Sequence, residues 1–204
     1  MKYFIHTLAL FLIVSVPAFS QVNLGAKGGL NLSNLSLNDF SQNMRPGFHA
    51  GLYFNIPVYG SGSIQPEVMY SMKGARFTSE GKNINARLDY LDIPLLVIFD
   101  VSPRLDFHFG PQFSYLAHVN YRCEDRETSE TWELNDQSNF SSVDIGLALG
   151  FEYNFNTFNL GLRYSSGFNS IENDDMAVIN GNEMIRTGAN NSVLQLYLAV
   201  PINE

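Results

Sequence analysis

The sequence has a single cysteine, few basic residues and, after its first twenty positions, no uninterrupted apolar run long enough for a membrane-spanning helix. One cysteine, Cys123, excludes an internal disulfide. Twelve Lys and Arg against twenty Asp and Glu give a formal net charge of −8. No basic stripe is available to neutralise phosphates, which argues against nucleic acid as a partner.

The first twenty residues have the organisation of a secretory signal peptide. Lys2 precedes the apolar run LALFLIVSV, and a small-x-small cleavage pattern lies just before Gln21. The apolar run is well short of the roughly 20 residues that a spanning helix needs, which argues against a membrane anchor. We therefore expect a signal peptide at residues 1–20 and one domain at residues 21–204. Removal of Lys2 lowers the formal net charge from −8 to −9.

Residues 105–122, LDFHFGPQFSYLAHVNYR, alternate between an apolar face and an almost entirely polar face. Alternation with period 2 predicts a β-strand that has different surroundings on its two sides. Seven such runs fit well, and residues 87–99 fit loosely because both faces become apolar toward the end. The eight predicted strands cover residues 22–33, 47–58, 64–75, 87–99, 105–122, 143–155, 158–169 and 192–202.

The predicted connections are short and long in turn. The short ones are rich in Gly, Pro, Asn and Asp and lie at residues 59–63, 100–104 and 156–157. The long ones are polar and lie at about residues 34–45, 76–86, 123–140 and 170–190. Short periplasmic turns and longer external loops are typical of bacterial outer-membrane barrels. An even number of strands places both termini on the short-turn side.

The height of the predicted strands and their aromatic residues indicate a membrane protein. Eleven residues at about 3.3 Å each, tilted by roughly 45°, rise about 26 Å, close to the apolar band of ~25 Å in such barrels. Aromatic residues near both ends of the apolar face suggest two interfacial girdles. Those near the short turns are Phe54, Phe99, Phe107, Tyr153, Phe155 and Phe158, and those near the loops are Phe48, Tyr70, Tyr121, Tyr164 and Phe168.

The pattern predicts an all-β fold, an eight-stranded antiparallel up-and-down transmembrane β-barrel in the cell outer membrane, with its apolar face against lipid. Period-2 alternation does not by itself show which face points outward. A soluble, lipocalin-like carrier with the apolar face inside is therefore an alternative.

Five segments have a more specific pattern: GAKGGLNLSNL (25–35), IQPEVMYSMKGARF (64–77), LDYLDIPLLV (88–97), FHFGPQFSYL (107–116) and NLGLRYSSGFNSI (159–171). Together they resemble the PorT-like family of small outer-membrane β-barrel proteins of Bacteroidetes-type bacteria. The resemblance implies an eight-stranded barrel, and it does not imply an enzyme. The namesake of the family is tied to protein secretion. This chain departs from many outer-membrane barrels in ending VPINE rather than with an aromatic residue.

No local motif marks a catalytic or cofactor site. The glycines of GAKGG (25–29) lie within a predicted strand with no helix after it, unlike a phosphate-binding loop. His49, His108 and His118 lie on polar faces without close ligand spacing, so we expect interior hydrogen bonds rather than a metal site. Residues 171–183 are rich in oxygen ligands but lack the twelve-residue calcium register. We expect no cofactor and no enzymatic activity.

Six residues of the polar faces have the same height when each strand is counted from its short-turn end. We expect them to converge in the lumen, where Lys27 and Arg163 would neutralise Glu67 and Glu152 in a hydrogen-bonded plug. This lumen cluster consists of Lys27, Tyr53, Glu67, His108, Glu152 and Arg163.

The expected function is a structural or interaction role at the cell envelope. Side chains fill an eight-stranded barrel, so a narrow porin is the weaker alternative. Besides outer-membrane lipid, an envelope or extracellular protein could bind loops 123–140 and 170–190. The first of these loops is acidic and contains the only tryptophan, Trp132.

Overall fold

The structure is a computed structural model, and it describes residues 22–36, 42–58, 62–79, 82–125, 131–134, 141–169, 177–179, 182–185 and 190–202. Eight strands of this part form the barrel: β1 (Asn23–Ser36), β2 (Gln42–Val58), β3 (Gly62–Ser79), β4 (Lys82–Ser102), β5 (Leu105–Asp125), β7 (Val143–Asn154), β8 (Asn159–Gly167) and β11 (Asn190–Pro201). Three short strands lie at the loop end: β6 (Thr131–Leu134), β9 (Ala177–Ile179) and β10 (Asn182–Ile185).

Each barrel strand pairs antiparallel with its neighbours along the chain, and β1 pairs with β11 to close the barrel. The order around the barrel is β1, β2, β3, β4, β5, β7, β8, β11. The prediction of an eight-stranded antiparallel up-and-down barrel is confirmed. Strand β6 extends the sheet beside the loop end of β5, and β9 pairs with β10. Among the described residues, no helix is long and apolar enough to cross a membrane.

The barrel wall is polar inside and apolar outside. In β11, Val193, Gln195 and Tyr197 are buried, whereas the alternating leucines Leu194 and Leu196 are exposed. The same pattern continues in β7, where exposed and buried residues alternate over most of the strand. An outer surface of this kind is stable in lipid rather than in water. The alternative of a lipocalin-like carrier, with its apolar face inside, is therefore wrong.

The hairpin of β3 and β4 is longer than the sequence predicts. The two strands remain paired up to Ser79 and Lys82, so most of the segment 76–86 continues the sheet instead of forming a long loop. This part of the hairpin lies beyond the apolar band, where the outward face has polar residues such as Arg76 and Asn85. Apolar and polar residues still alternate there, but the faces are exchanged, because Ala75 and Ala86 are buried while Arg76 is exposed. The lipid-facing apolar pattern therefore ends before the strands do.

A β-bulge in β5 changes which residues face inward. Asp89 of β4 lies opposite His118, but the next residue, Tyr90, lies opposite Leu116, so β5 has one extra residue. Ala117 and His118 are both exposed, and Val119 takes the buried position. The predicted interior position of His118 is wrong because a bulge shifts the alternation by one residue.

Aromatic side chains form two groups of ring contacts at the short-turn end. Phe99 stacks on Phe109 with ring centroids 5.8 Å apart, and Phe155 stacks on Phe158 at 4.8 Å. Phe107 is partly buried and packs against Phe151 at 5.2 Å. These contacts match the predicted girdle at this end. On the loop side Phe48, Tyr70, Tyr164 and Phe168 are exposed, while the side chain of Tyr121 lies outside the described residues.

Some sequence expectations lie wholly or mostly outside the described residues. They include the signal peptide at residues 1–20 and most of loops 123–140 and 170–190. In the first loop only the ends of β5 and strand β6 are described, and in the second only β9, β10 and the start of β11.

Candidate functional site

Glu67 lies at the centre of the lumen with 0 % of its surface exposed. Its Oε1 accepts hydrogen bonds from Lys27 Nζ and Arg163 Nη2, both at 2.8 Å, and its Oε2 accepts one from Arg163 Nη1 at 2.7 Å. Gln65 Nε2 also donates to Oε1 at 2.8 Å. Two cations and one amide therefore surround this carboxylate, and the two bonds from Arg163 form a bidentate pair.

Neighbouring glycines give the long cationic side chains room to cross the lumen. Lys27 of β1 lies opposite Gly51 of β2, and Arg163 of β8 lies opposite Gly150 of β7. A Cβ atom at Gly150 would come within 2.7 Å of His108 Nε2. Both cations lie on the inward face, so they can meet Glu67 although they come from distant strands. Because glycine has no side chain, Gly51 and Gly150 leave space that Lys27 and Arg163 can occupy.

Glu152 is the second carboxylate of the lumen cluster. Tyr197 Oη donates to Oε2 at 2.8 Å, Asn159 Nδ2 donates to Oε1 at 2.8 Å, and Lys27 Nζ lies 3.5 Å from Oε2. The two carboxylates, Glu67 and Glu152, balance the two cations in formal charge. The charged groups are thus paired inside the wall, as burial of charge requires.

His108 and Tyr53 complete the contacts among the six residues. Arg163 Nε donates to His108 Nε2 at 3.2 Å. The Lys27 ammonium lies 5.2 Å from the centre of the Tyr53 ring, within the range of a cation–π interaction. The structure thus places Lys27, Tyr53, Glu67, His108, Glu152 and Arg163 in one connected network.

Tyr197 is a central residue that sequence reasoning missed. Its ring lies 4.3 Å from Lys27 Nζ and 5.2 Å from Arg163 Cζ, and only 1 % of the residue is exposed. The signal that could have identified it is its position two residues after Gln195, on the inward face of the last strand. Asn159 and Gln65 were missed as well, although both lie at inward positions near the predicted residues.

A second polar layer lies nearer the loop end. Lys73 Nζ bonds to Asp92 Oδ1 at 2.7 Å and to Ser114 Oγ at 3.3 Å. The same ammonium lies 4.7 Å from the centre of the Tyr90 ring, whose hydroxyl accepts a bond from Asn191 at 3.2 Å. This layer was not predicted. It adds a buried ion pair between the neighbouring strands β3 and β4, on the loop side of the lumen cluster.

Below the lumen cluster lies a cavity of about 290 Å³. Its walls come mainly from the short-turn ends of the strands, and they include Asn23, Asn55, Asp106, His108, Glu152 and Asn159. The lowest part of the lumen is thus a cavity, and the paired side chains of the lumen cluster lie above it. Within the described part of the chain, no group of three or more His, Cys, Asp or Glu side chains could hold a metal ion.

Solved structures with a similar fold include Ail, the attachment invasion locus protein of Yersinia pestis, at 8% identity and a TM-score of 0.52, with 89% of this chain and 99% of that chain covered. A structure of Ail with the heparin analogue sucrose octasulfate gives 8% identity, the same coverage and a TM-score of 0.51. Neisserial surface protein A has 12% identity and a TM-score of 0.49, with coverage of 88% and 96%. At 8% identity the likeness to Ail shows the fold alone.

No curated protein matches the sequence. The model of one family, described as the outer membrane protein beta-barrel domain, matches residues 17–173, well over half of the chain. That match agrees with a closed barrel that is apolar outside and polar inside. The chain therefore belongs to the family of outer membrane protein beta-barrel domains, and it is a protein of the cell outer membrane.

Proposed function

We propose that this protein is a closed barrel with a structural or interaction role at the cell envelope, and that it is neither an open pore nor an enzyme. The observation that supports the proposal most directly is the network around Glu67, which joins β1, β3 and β8 across the lumen. A solute on this path would have to separate buried ion pairs, which is energetically unfavourable. The lumen cluster acts in this proposal as a plug.

The finer assignments belong to the same proposal. Residues 1–20 act as a signal peptide, residues 21–204 form the mature protein, and the chain is a PorT-like member of its family. Loops 123–140 and 170–190 contact an envelope or extracellular protein. Their placement supports this role, because β5 and β8 both end at the loop side of the barrel, away from the short turns. In outer-membrane barrels the longer loops face the outside of the cell.

The absence of an enzymatic role is supported by the state of the interior groups. Glu67, Glu152 and His108 are the acid–base groups of the lumen cluster, and each is hydrogen-bonded to another residue of the wall. General acid–base catalysis needs such a group within hydrogen-bond reach of a substrate. Glu67 is fully buried among residues of the wall, and His108 and Glu152, which line the cavity, already bond to Arg163 and Tyr197.

We expect the purified protein to show no large, steady conductance in planar lipid bilayers. The physical reason is the paired charge of Lys27, Glu67 and Arg163, which fills the lumen at one level. Single-channel recording at neutral pH tests this, with a known wide porin as the positive control. Stable channels of porin-like size would favour transport and contradict the proposed closed barrel.

We expect Cys123 to react on intact cells with a thiol reagent that cannot cross the outer membrane. Its backbone lies in β5 beyond the apolar band, opposite Ile84 of the β3–β4 hairpin. It is the only cysteine of the sequence, so any labelling reports this end of the barrel. The proposed orientation would be wrong if the thiol reacted only after the outer membrane had been opened.

A further inference from the structure

Four arginines from the four neighbouring strands β2, β3, β4 and β5 lie around Asn85. Arg76 of β3 and Arg122 of β5 lie directly across from Asn85, and Arg87 lies two residues further along the same strand. Arg45 of β2 donates from Nε to Asn85 Oδ1 at 3.1 Å. We call this group the Asn85 cluster: Arg45, Arg76, Asn85, Arg87 and Arg122. It contains four of the twelve Lys and Arg of a chain with net charge −8.

The Asn85 cluster lies on the outer wall just above the apolar band. Below it the cross-strand row Tyr70, Leu91 and Tyr115 is exposed on the outside of the barrel. Tyrosines in such a row mark the level of the lipid headgroups. The Tyr70 hydroxyl reaches Asp89, and Arg87 lies two residues beyond Asp89, so Arg87 is at headgroup height. Arg76 and Arg122 are exposed two residues further toward the loops.

Arg87 is held in place by an outward-facing carboxylate. Asp89 is only 2 % exposed, and it accepts bonds from Arg87 Nε at 2.9 Å and Nη2 at 2.7 Å and from the Tyr70 hydroxyl at 2.7 Å. The Arg87 side chain remains 38 % exposed. A fixed guanidinium loses less conformational freedom on binding an anion than a free one does.

The β-bulge in β5 adds His118 to the same surface. The extra residue turns His118 outward, directly across from Asp89, whereas regular alternation would point it into the lumen. Asp89 is the only acidic residue whose side chain is described on this part of the outer wall, and Arg87 neutralises it. Arg122 lies opposite Asn85 of β4 on one side and opposite Glu133 of β6 on the other. The proposal that follows therefore rests on Arg76 and Arg87.

We propose that the Asn85 cluster binds the phosphate group of an anionic lipid in the outer leaflet. Guanidinium groups match phosphate oxygens in geometry and form charge-assisted hydrogen bonds with them. Arg45, Arg76 and Arg87 outnumber Asp89, the only carboxylate whose side chain is described on this part of the outer wall, and headgroup phosphates are the anions available at this height. Such a site would fix the rotation and depth of the barrel in the membrane. It is separate from the lumen cluster and from the loops.

Binding is tested on the full chain in a neutral detergent. Short-chain phosphatidic acid is titrated against the protein, and phosphatidylcholine and diacylglycerol with the same acyl chains serve as headgroup controls. We expect phosphatidic acid to bind roughly tenfold more tightly than phosphatidylcholine, since only the first presents an uncompensated phosphate. Equal affinities for the two lipids would overturn the proposal.

Two variants assign the site. Arg76→Gln makes no change to the buried network, and Arg76→Gln with Arg87→Gln removes the two guanidinium groups on which the proposal rests. We expect each to reduce the preference for phosphatidic acid, and the double variant to abolish it. Arg104→Gln, in the exposed turn at the opposite end, is the matched control and should keep it. A preference that survives in the double variant, or inorganic phosphate that binds as tightly as the lipid, would show that no lipid site exists here.

Discussion

Replacing Glu67 with alanine should destabilise the barrel more than any single substitution on its outer surface. The change leaves Lys27 and Arg163 buried at the centre of the lumen without their shared carboxylate. Removing one partner of a buried ion pair costs roughly 3–5 kcal/mol, because the remaining charge is desolvated and unpaired. We expect the free energy of unfolding in detergent to fall by about this amount, measured by urea-induced unfolding and circular dichroism.

Two further variants separate charge from packing at this position. Glu67→Gln keeps the volume and removes the negative charge, so it should lose most of the same stability. Arg104→Ala removes an exposed cation from a turn, and surface substitutions of this kind change stability by at most about 0.5 kcal/mol. A Glu67→Ala protein with the urea midpoint of the wild type would show that lumen water solvates the cations, and the proposed plug would then be wrong.

The barrel could be predicted from the sequence because two simple regularities of barrel sequences are visible in it. Side chains alternate with period 2, and short and long connections alternate along the chain. Counting along each strand from its short-turn end was enough to select Lys27, Glu67 and Arg163, which the structure joins by direct hydrogen bonds. The rise per residue is nearly the same in every strand. The height of an inward side chain in the lumen therefore follows from the number of residues between it and the short-turn end of its strand.

Contacts that depend on stagger between distant strands could not be predicted in the same way. Tyr197 reaches Glu152 and Lys27 because β11 closes the barrel against β1 and β8, and that register is not visible in any single strand. The outward position of His118 depends on one extra residue in β5. The Asn85 cluster likewise requires the pairing of four strands, β2 to β5. Its members show no common pattern in the sequence.

Gly161→Ala is expected to have the second large effect. Gly161 lies directly across from Tyr197, and a Cβ atom there would overlap the Tyr197 ring and its hydroxyl. The ring would have to leave its position against Lys27 and lose its bond to Glu152. Overpacking of this kind costs about 1–3 kcal/mol, and the lost bond to a buried carboxylate adds to it. The urea midpoint in detergent should fall clearly below that of the wild type.

A second glycine of the wall serves as the matched control. Gly28 also lies in an extended strand, but a Cβ atom there would come no closer than 3.6 Å to its nearest neighbour, the His49 carbonyl oxygen. Gly28→Ala should therefore be neutral or stabilise the barrel by about 0.4–1 kcal/mol, because alanine restricts the unfolded chain. If both glycine variants lost the same stability, the effect would belong to strand glycines in general and not to the position of Tyr197.

A double variant shows whether Tyr197 is the cause of the strain. In a Tyr197→Ala protein the ring is already absent, so adding Gly161→Ala should cost much less than it does in the wild type. The difference between the two costs is the coupling energy of the pair, and residues in direct contact have coupling energies of about 0.5–3 kcal/mol. Additive effects would mean that Gly161 is needed for a contact with backbone rather than with Tyr197. A large coupling energy would mean that Gly161 provides the space for the Tyr197 ring, which contacts Lys27 and bonds to Glu152.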